Sequence, residues 1–159
     1  QRYLKEMSED VEMTLRHFKP KRVYVHCIEG GHIDHDLTSF VVKSTCNKIG
    51  FNNVCEWAEY NPSQPIGTKN VKFLTNVEGN DETIVDITDE ERILKKKMLS
   101  IHSSQNVEQY FLQGEIIRKA NLIEIDKDVC VHCRLPKIRL IPVVKKYNKL
   151  INSIPFNNV

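Results

Sequence analysis

No apolar run in the chain approaches the roughly 20 residues that a helix needs to cross a bilayer. Nothing at its start has the layout of a cleavable signal peptide either. An excess of one charge sign is also missing: the net charge is +2, and acidic and basic residues are interleaved. That argues against nucleic acid as a partner. There is no internal repeat and no low-complexity tract, which excludes solenoids and biased linkers. The five cysteines (Cys27, Cys46, Cys55, Cys130 and Cys133) are odd in number and scattered, so they do not make a disulfide framework. They point to a reducing compartment, and the expected location is cytoplasmic.

What is present is an ordinary globular balance, 40% hydrophobic and 28% charged over 159 residues. That suits a single domain over 1–159 with a core large enough to need no staples. The expected division is an α/β core over 1–120 and a β-containing extension over 121–159. The chain opens on Gln1 in helix-like sequence, and further residues are expected upstream of it.

The periodicity orders the elements. Tyr3, Leu4, Met7, Val11, Leu15 and Phe18 recur at helical spacing, and Pro20 ends that helix. Arg22 to Ile28 reads as a strand, followed by a turn at Glu29-Gly30-Gly31. A second helix over Asp36 to Ile49 presents Leu37, Phe40, Val41, Thr45 and Ile49 on one face, and Gly50 stops it. Val54 to Tyr60 reads as the next strand. Strand, glycine turn, helix, strand is a βαβ unit, which requires a parallel pair. Ligands bind at the carboxyl ends of such strands, where the Gly-Gly loop lies.

Farther on, Val71 to Thr75 and Thr83 to Ile87 read as two short strands around a polar turn, Glu78 to Asp81. Thr88-x-x-Glu91 is a capping box opening a helix, with Ile93, Leu94, Met98 and Ile101 as its expected buried stripe. Lys95, Lys96 and Lys97 are expected to be solvated. A shorter helix fits Val107 to Leu112. Arg92, Arg118 and Arg139 are expected at the surface, and His26 in the core as a satisfied strand histidine. Alternation puts Glu56 and Tyr60 on one side of their strand and Trp57 and Glu59 on the other, one of which faces the cleft.

The chemistry concentrates in His32-x-Asp34-His35-Asp36, two imidazoles and two carboxylates in five positions after two glycines. Glycines let backbone approach a ligand closely. Histidine is the commonest zinc-binding side chain, and a neighbouring aspartate can orient it. An open zinc site needs three protein ligands, of which this loop can supply one or two. The simpler reading is a solvated polar turn in which Asp34 or Asp36 caps the helix. Placement at a βα junction favours function. Cys130-x-x-Cys133, a lone pair without a partner pair, reads as structural or incidental.

Glu29-Gly30-Gly31-His32-Ile33-Asp34-His35-Asp36 resembles the second motif of the PIG-L/LmbE-like deacetylases, with Ile33 where that family usually has proline. Glu56 to Tyr60 looks like the family's strand after the crossover helix. Thr88 to Gln105 looks like its late helix, ending on a Ser-Gln pair at Ser104-Gln105. The resemblance spans roughly residues 3 to 118 and implies a three-layer, Rossmann-like α/β fold with a mainly parallel sheet. It implies hydrolysis of an N-acetyl group on a glucosamine-like sugar, with zinc as cofactor and a small amino-sugar conjugate as substrate. By the same resemblance His35 is a zinc ligand, His32 polarises the amide carbonyl, and Asp34 orients His32. The family's first motif, a His-Pro-Asp-Asp run supplying two ligands and the general base, is absent: no such aspartates follow His17, His26, His102 or His132. The chain therefore reads as the C-terminal part of that fold, without its N-terminal strand-helix portion, and is expected by itself to bind zinc weakly and hydrolyse nothing. Two alternatives stand beside it. Metallo-β-lactamase-like hydrolases carry a His-x-His-x-Asp-His run whose last four positions match residues 32 to 35, but Gly30 replaces the first histidine. A degenerate, non-catalytic carbohydrate-binding module is the other.

Overall fold

Helix α1 (Arg2–Phe18) and helix α2 (Ile33–Ile49) lie side by side, because their apolar stripes need a common cover. Leu4, Phe40 and Val41 are buried together, with Met7 and Val11 packed against them. A buried hydroxyl pair, Ser8 with Thr45 at 2.8 Å, ties the helices across the seam. Gly50 ends α2 at φ 73°, and its N–H returns to the last turn as a left-handed cap does. The computed structural model describes residues 2–61, 63–74 and 82–132, with residues 2 and 130–132 described by backbone alone. Cys133 and the run 138–144 lie outside the described residues.

Strands β1 (Val23–His26) and β2 (Val54–Trp57) pair in parallel, Val23 opposite Val54 and His26 opposite Trp57. With α2 between them they form the expected βαβ unit. The sheet continues with β4 (Glu115–Lys119), antiparallel to β2, and ends at β3 (Thr83–Val85), antiparallel to β4. The fold is thus mixed α/β with an open four-stranded sheet. The expected mainly parallel sheet is only partly parallel, because the chain after β2 leaves the sheet and re-enters along β4 at the same end, Ile117 opposite Trp57, to run back the other way. Val71 and Phe73 are buried against Cys27, Ala58 and Ile116, but the segment runs alongside the sheet without becoming a strand. The turn expected at residues 78–81 lies outside the described residues.

The extension expected to contain β structure begins with a helix, α4 (Ile125–His132), whose Ile125 and Val129 enter the α1–α2 core. Among the described residues no helix is long and apolar enough to cross a membrane.

Helix α3 (Asp89–Leu99) carries the capping box between Thr88 and Glu91, yet it buries nothing. Ile93, Leu94, Met98 and Ile101, expected to be covered, are all exposed, Ile101 by 75%. Polar ties explain the reversal. Arg92 donates to the Phe111 carbonyl, and Lys95 donates to the Gln113 carbonyl and to Glu115. The basic side of α3 is drawn inward, toward the 3-10 turn Glu108–Leu112, and its apolar stripe is turned out.

Arg118, expected at the surface, is 3% exposed. Its Nε donates to Glu56 at 2.7 Å, its guanidinium lies 3.9 Å from the centre of the Phe73 ring, and Glu82 is 3.6 Å away. Lys43 of α2, with no exposed surface, donates to the other Glu56 oxygen. One carboxylate in the core thus holds two cations from two other elements. Losing one member of a buried pair leaves the other charge stranded, at a cost of about 3–5 kcal/mol. Glu56→Ala is expected to lower unfolding free energy by about that amount in urea titration; a loss under about 1 kcal/mol, the mean for an ordinary substitution, would mean that the two cations find other partners.

Candidate metal centre

The loop after β1 is shaped from below by two buried carboxylates. Asp36 is 4% exposed, and its Oδ1 accepts the backbone N–H groups of Glu29 (3.1 Å) and Gly30 (3.3 Å). Glu29 is also buried; it accepts the Leu74 N–H at 2.7 Å and the Asn61 amide at 3.2 Å. Burial pushes the Glu29 carboxyl above its ordinary value, and these two donors oppose the rise. The glycines are required by the same geometry. Gly30 sits at φ 71°, and a Cβ on Gly31 would lie 2.0 Å from the Tyr60 carbonyl oxygen. Asp36 therefore braces the loop and does not cap the helix. The cap is His32, whose Nδ1 accepts the Asp34 N–H at 3.2 Å. Helix α2 accordingly begins three residues earlier than Asp36, the expected start.

On this frame His32 and His35 point to the same side, ring centres 5.1 Å apart. His32 is exposed, and the Asp34 carboxylate is 3.8 Å from its Nδ1. His35 is half-buried and stacks on His26, the last residue of β1, at 4.1 Å between centres and 13° between planes. Beyond the end of β2, Glu59 closes the group. Its Oε2 is 2.9 Å from His35 Nδ1, its Oε1 is 3.5 Å from His26 Nε2, and Trp57 Nε1 donates to Oε1 at 3.0 Å. Among the described residues His26, His35 and Glu59 are the one group of three donors close enough to share an ion, their ligand atoms lying within 4.8 Å of one another.

The electrostatics follow the packing. The contact with Glu59 raises the His35 pKa against a desolvation that lowers it. Burial lowers His26; Glu59 opposes this, and the neighbouring His35 adds to the depression. Burial works against the Glu59 anion, but His35, Trp57 and His26 together hold it below its ordinary value. Two buried side-chain atoms lack a hydrogen-bond partner among the described residues, His26 Nδ1 and Glu59 Oε2, and both belong to this trio. Two imidazoles and a carboxylate at this spacing are donors that could hold a metal ion.

The sequence brings His32, Asp34 and His35 to attention; it does not bring His26, which is no satisfied core residue, since its Nδ1 has no partner. A titratable residue closing a strand just before a glycine turn is the signal that could have found it. Glu56, by alternation a candidate for the cleft, turns into the core, whereas Glu59 and Tyr60 reach the site because β2 has ended at Trp57. The Tyr60 ring meets His35 at 5.8 Å and Tyr110 at 6.1 Å, and burial pushes its phenol up to about 12. Ser104 and Gln105 line a separate shallow pocket of about 370 Å³ with His102 and Glu108. Comparisons with family models, with curated proteins and with solved structures return no match.

Gly31→Ala is expected to destabilise the chain by about 2 kcal/mol or more, since the new methyl meets a backbone oxygen that cannot turn aside. Gly50→Ala, with open space but a left-handed backbone, should cost about 1 kcal/mol. Thermal or urea melts of the two variants side by side check the order; equal losses would show that Gly31 is not held against Tyr60.

Proposed function

We propose that this chain carries the carbonyl-activating and metal-ligating part of a zinc-dependent N-deacetylase site, acting on an N-acetylated, glucosamine-like sugar within a three-layer, Rossmann-like fold. The reaction is amide hydrolysis: water enters, and acetate and the free amine leave. The observation that carries the reading is the pair His32 and His35, side by side at the carboxyl ends of parallel strands on a loop built by two glycines. A single sheet among the described residues favours this reading over the two facing sheets of a β-lactamase-like hydrolase.

His35 holds the metal in this reading. Zinc, when bound, polarises the amide and makes water a nucleophile near neutral pH. His32 does the other work. Because its Nδ1 accepts a backbone N–H, the neutral ring carries its proton on Nε2. That N–H is a donor on an exposed ring, free to meet a carbonyl oxygen as negative charge develops on it. The ring is oriented by the backbone of Asp34, with the Asp34 carboxylate flanking the same nitrogen.

Acetate release from N-acetylglucosamine conjugates by the protein tests the reading. His35→Ala should lose bound zinc. His32→Ala should keep zinc and lose about 100- to 1,000-fold in turnover, as for removal of one oxyanion donor. Sugar binding without acetate release by the wild type would leave only a binding module, and full turnover in His32→Ala would remove the role given to that ring.

A further inference from the structure

The absent first motif led to the expectation that this chain lacks enough donors to hold an ion. The geometry assigns it three. We propose that His26, His35 and Glu59 form a self-sufficient site for one divalent cation of the zinc class, needing no protein donor from outside these 159 residues. The site shares His35 with the deacetylase reading and otherwise rests on residues that reading does not use.

Four observations carry it. The donor set, two imidazoles and one carboxylate, is a complete three-ligand shell for an open zinc site. The spacing suits one ion: donors about 2.1 Å from a tetrahedral centre lie roughly 3.4 Å from one another. Here one ligand atom from each of the three residues lies within 4.8 Å of the others, and Glu59 reaches His35 Nδ1 at 2.9 Å by one oxygen and His26 Nε2 at 3.5 Å by the other. Next, Glu59 Oε2 is buried, and its near neighbour is the imidazole of His35, Nδ1 at 2.9 Å, itself one of the three donors. Last, the donors are held from behind, as ligating side chains usually are. Trp57 Nε1 occupies Glu59 Oε1, Gln64 donates to the Glu59 carbonyl at 2.6 Å, and Ser39 donates to the His26 carbonyl at 2.6 Å. Oε2 faces His35, and Oε1 lies on the His26 side.

The three donors come from three elements, the end of β1, the first turn of α2 and the loop after β2. An ion there would add a bond among elements already tied at this corner by the Ser39–His26 and Cys27–Trp57 hydrogen bonds. The competing account is a plain ion pair, Glu59 with a protonated His35, that has no use for a metal.

Titration of the metal-free 159-residue chain with Zn²⁺, followed by calorimetry, separates the two. One equivalent is expected to bind, and His26→Ala and the nearly isosteric Glu59→Gln are each expected to weaken it about tenfold or more. His102→Ala should leave it unchanged. Imidazole nitrogen shifts in the wild type, read by NMR, give a measure that does not depend on how any variant folds: His26 and His35 should move together at one equivalent, and His102 should not. No stoichiometric binding overturns the proposal. So does binding that His35→Ala abolishes while His26→Ala and Glu59→Gln leave it intact, an outcome that would still suit the deacetylase reading. Zinc bound by the trio, with no acetate released by the protein, would sink that reading and leave this site standing.

Discussion

A single carboxylate, Glu56, fixes how the sheet and its helix meet. It is 2% exposed and lies between Lys43 of α2 and Arg118 of β4. Two cations taken out of water cost several kcal/mol each unless well paired, so the arrangement tolerates few alternatives. Sliding β2 by one residue would send Glu56 to the opposite face and strand both cations. The register that places His26 opposite Trp57 is therefore set in the core. Lys43 stands eight residues beyond His35, roughly 12 Å along the same helix. The ion cluster and the site are two ends of one lever, and Trp57, next to Glu56, passes the constraint on by its bond to Glu59.

Above that anchor the loop is rigid for polar reasons more than apolar ones. Asp36 and Glu29 between them accept three backbone N–H groups and one side-chain amide. Each leaves its partners unsatisfied if removed, which costs more than the bond contributes when made. Such support positions chemistry on a loop without freezing it by bulk. The same carboxylates are kept away from the cleft, so the anion offered to it is Glu59.

The local parts of this design are legible in sequence, and the distant parts are not. The β1–α2–β2 unit follows from periodicity, the glycine turn and Gly50, all within 35 residues of one another. The capping box of α3 is equally local. Strand β4 escapes because Glu-Ile-Ile-Arg-Lys carries three charges, and its burial depends on Glu56, 62 residues away. Arg118 looks like a surface residue for the same reason. Helix α3 misleads in the opposite direction: its apolar spacing promises a buried face, but Arg92 and Lys95 find acceptors on the body of the protein and set the rotation. Pattern gives the period of a helix and not the azimuth it adopts when polar ties compete. Glu59 is half legible: alternation makes it a candidate for the cleft on the side opposite Tyr60, and both reach the site because strand alternation stops at Trp57, where the chain turns.

His32 and His35 share a helical turn, yet their surroundings prepare them for opposite partners. His32 caps α2, where unpaired N–H groups give the helix its positive end and favour negative charge alongside. Its Nδ1 is already occupied by a backbone donor, so what it offers outward is a proton. His35 faces a carboxylate and a second imidazole, surroundings rich in lone pairs that favour a cation. In the proposed reaction an anion develops on one oxygen while a cation polarises the same bond, and the two imidazoles are divided in the same way. Gly31, packed against the Tyr60 carbonyl, lets the loop seat both rings on one side while their surroundings stay distinct.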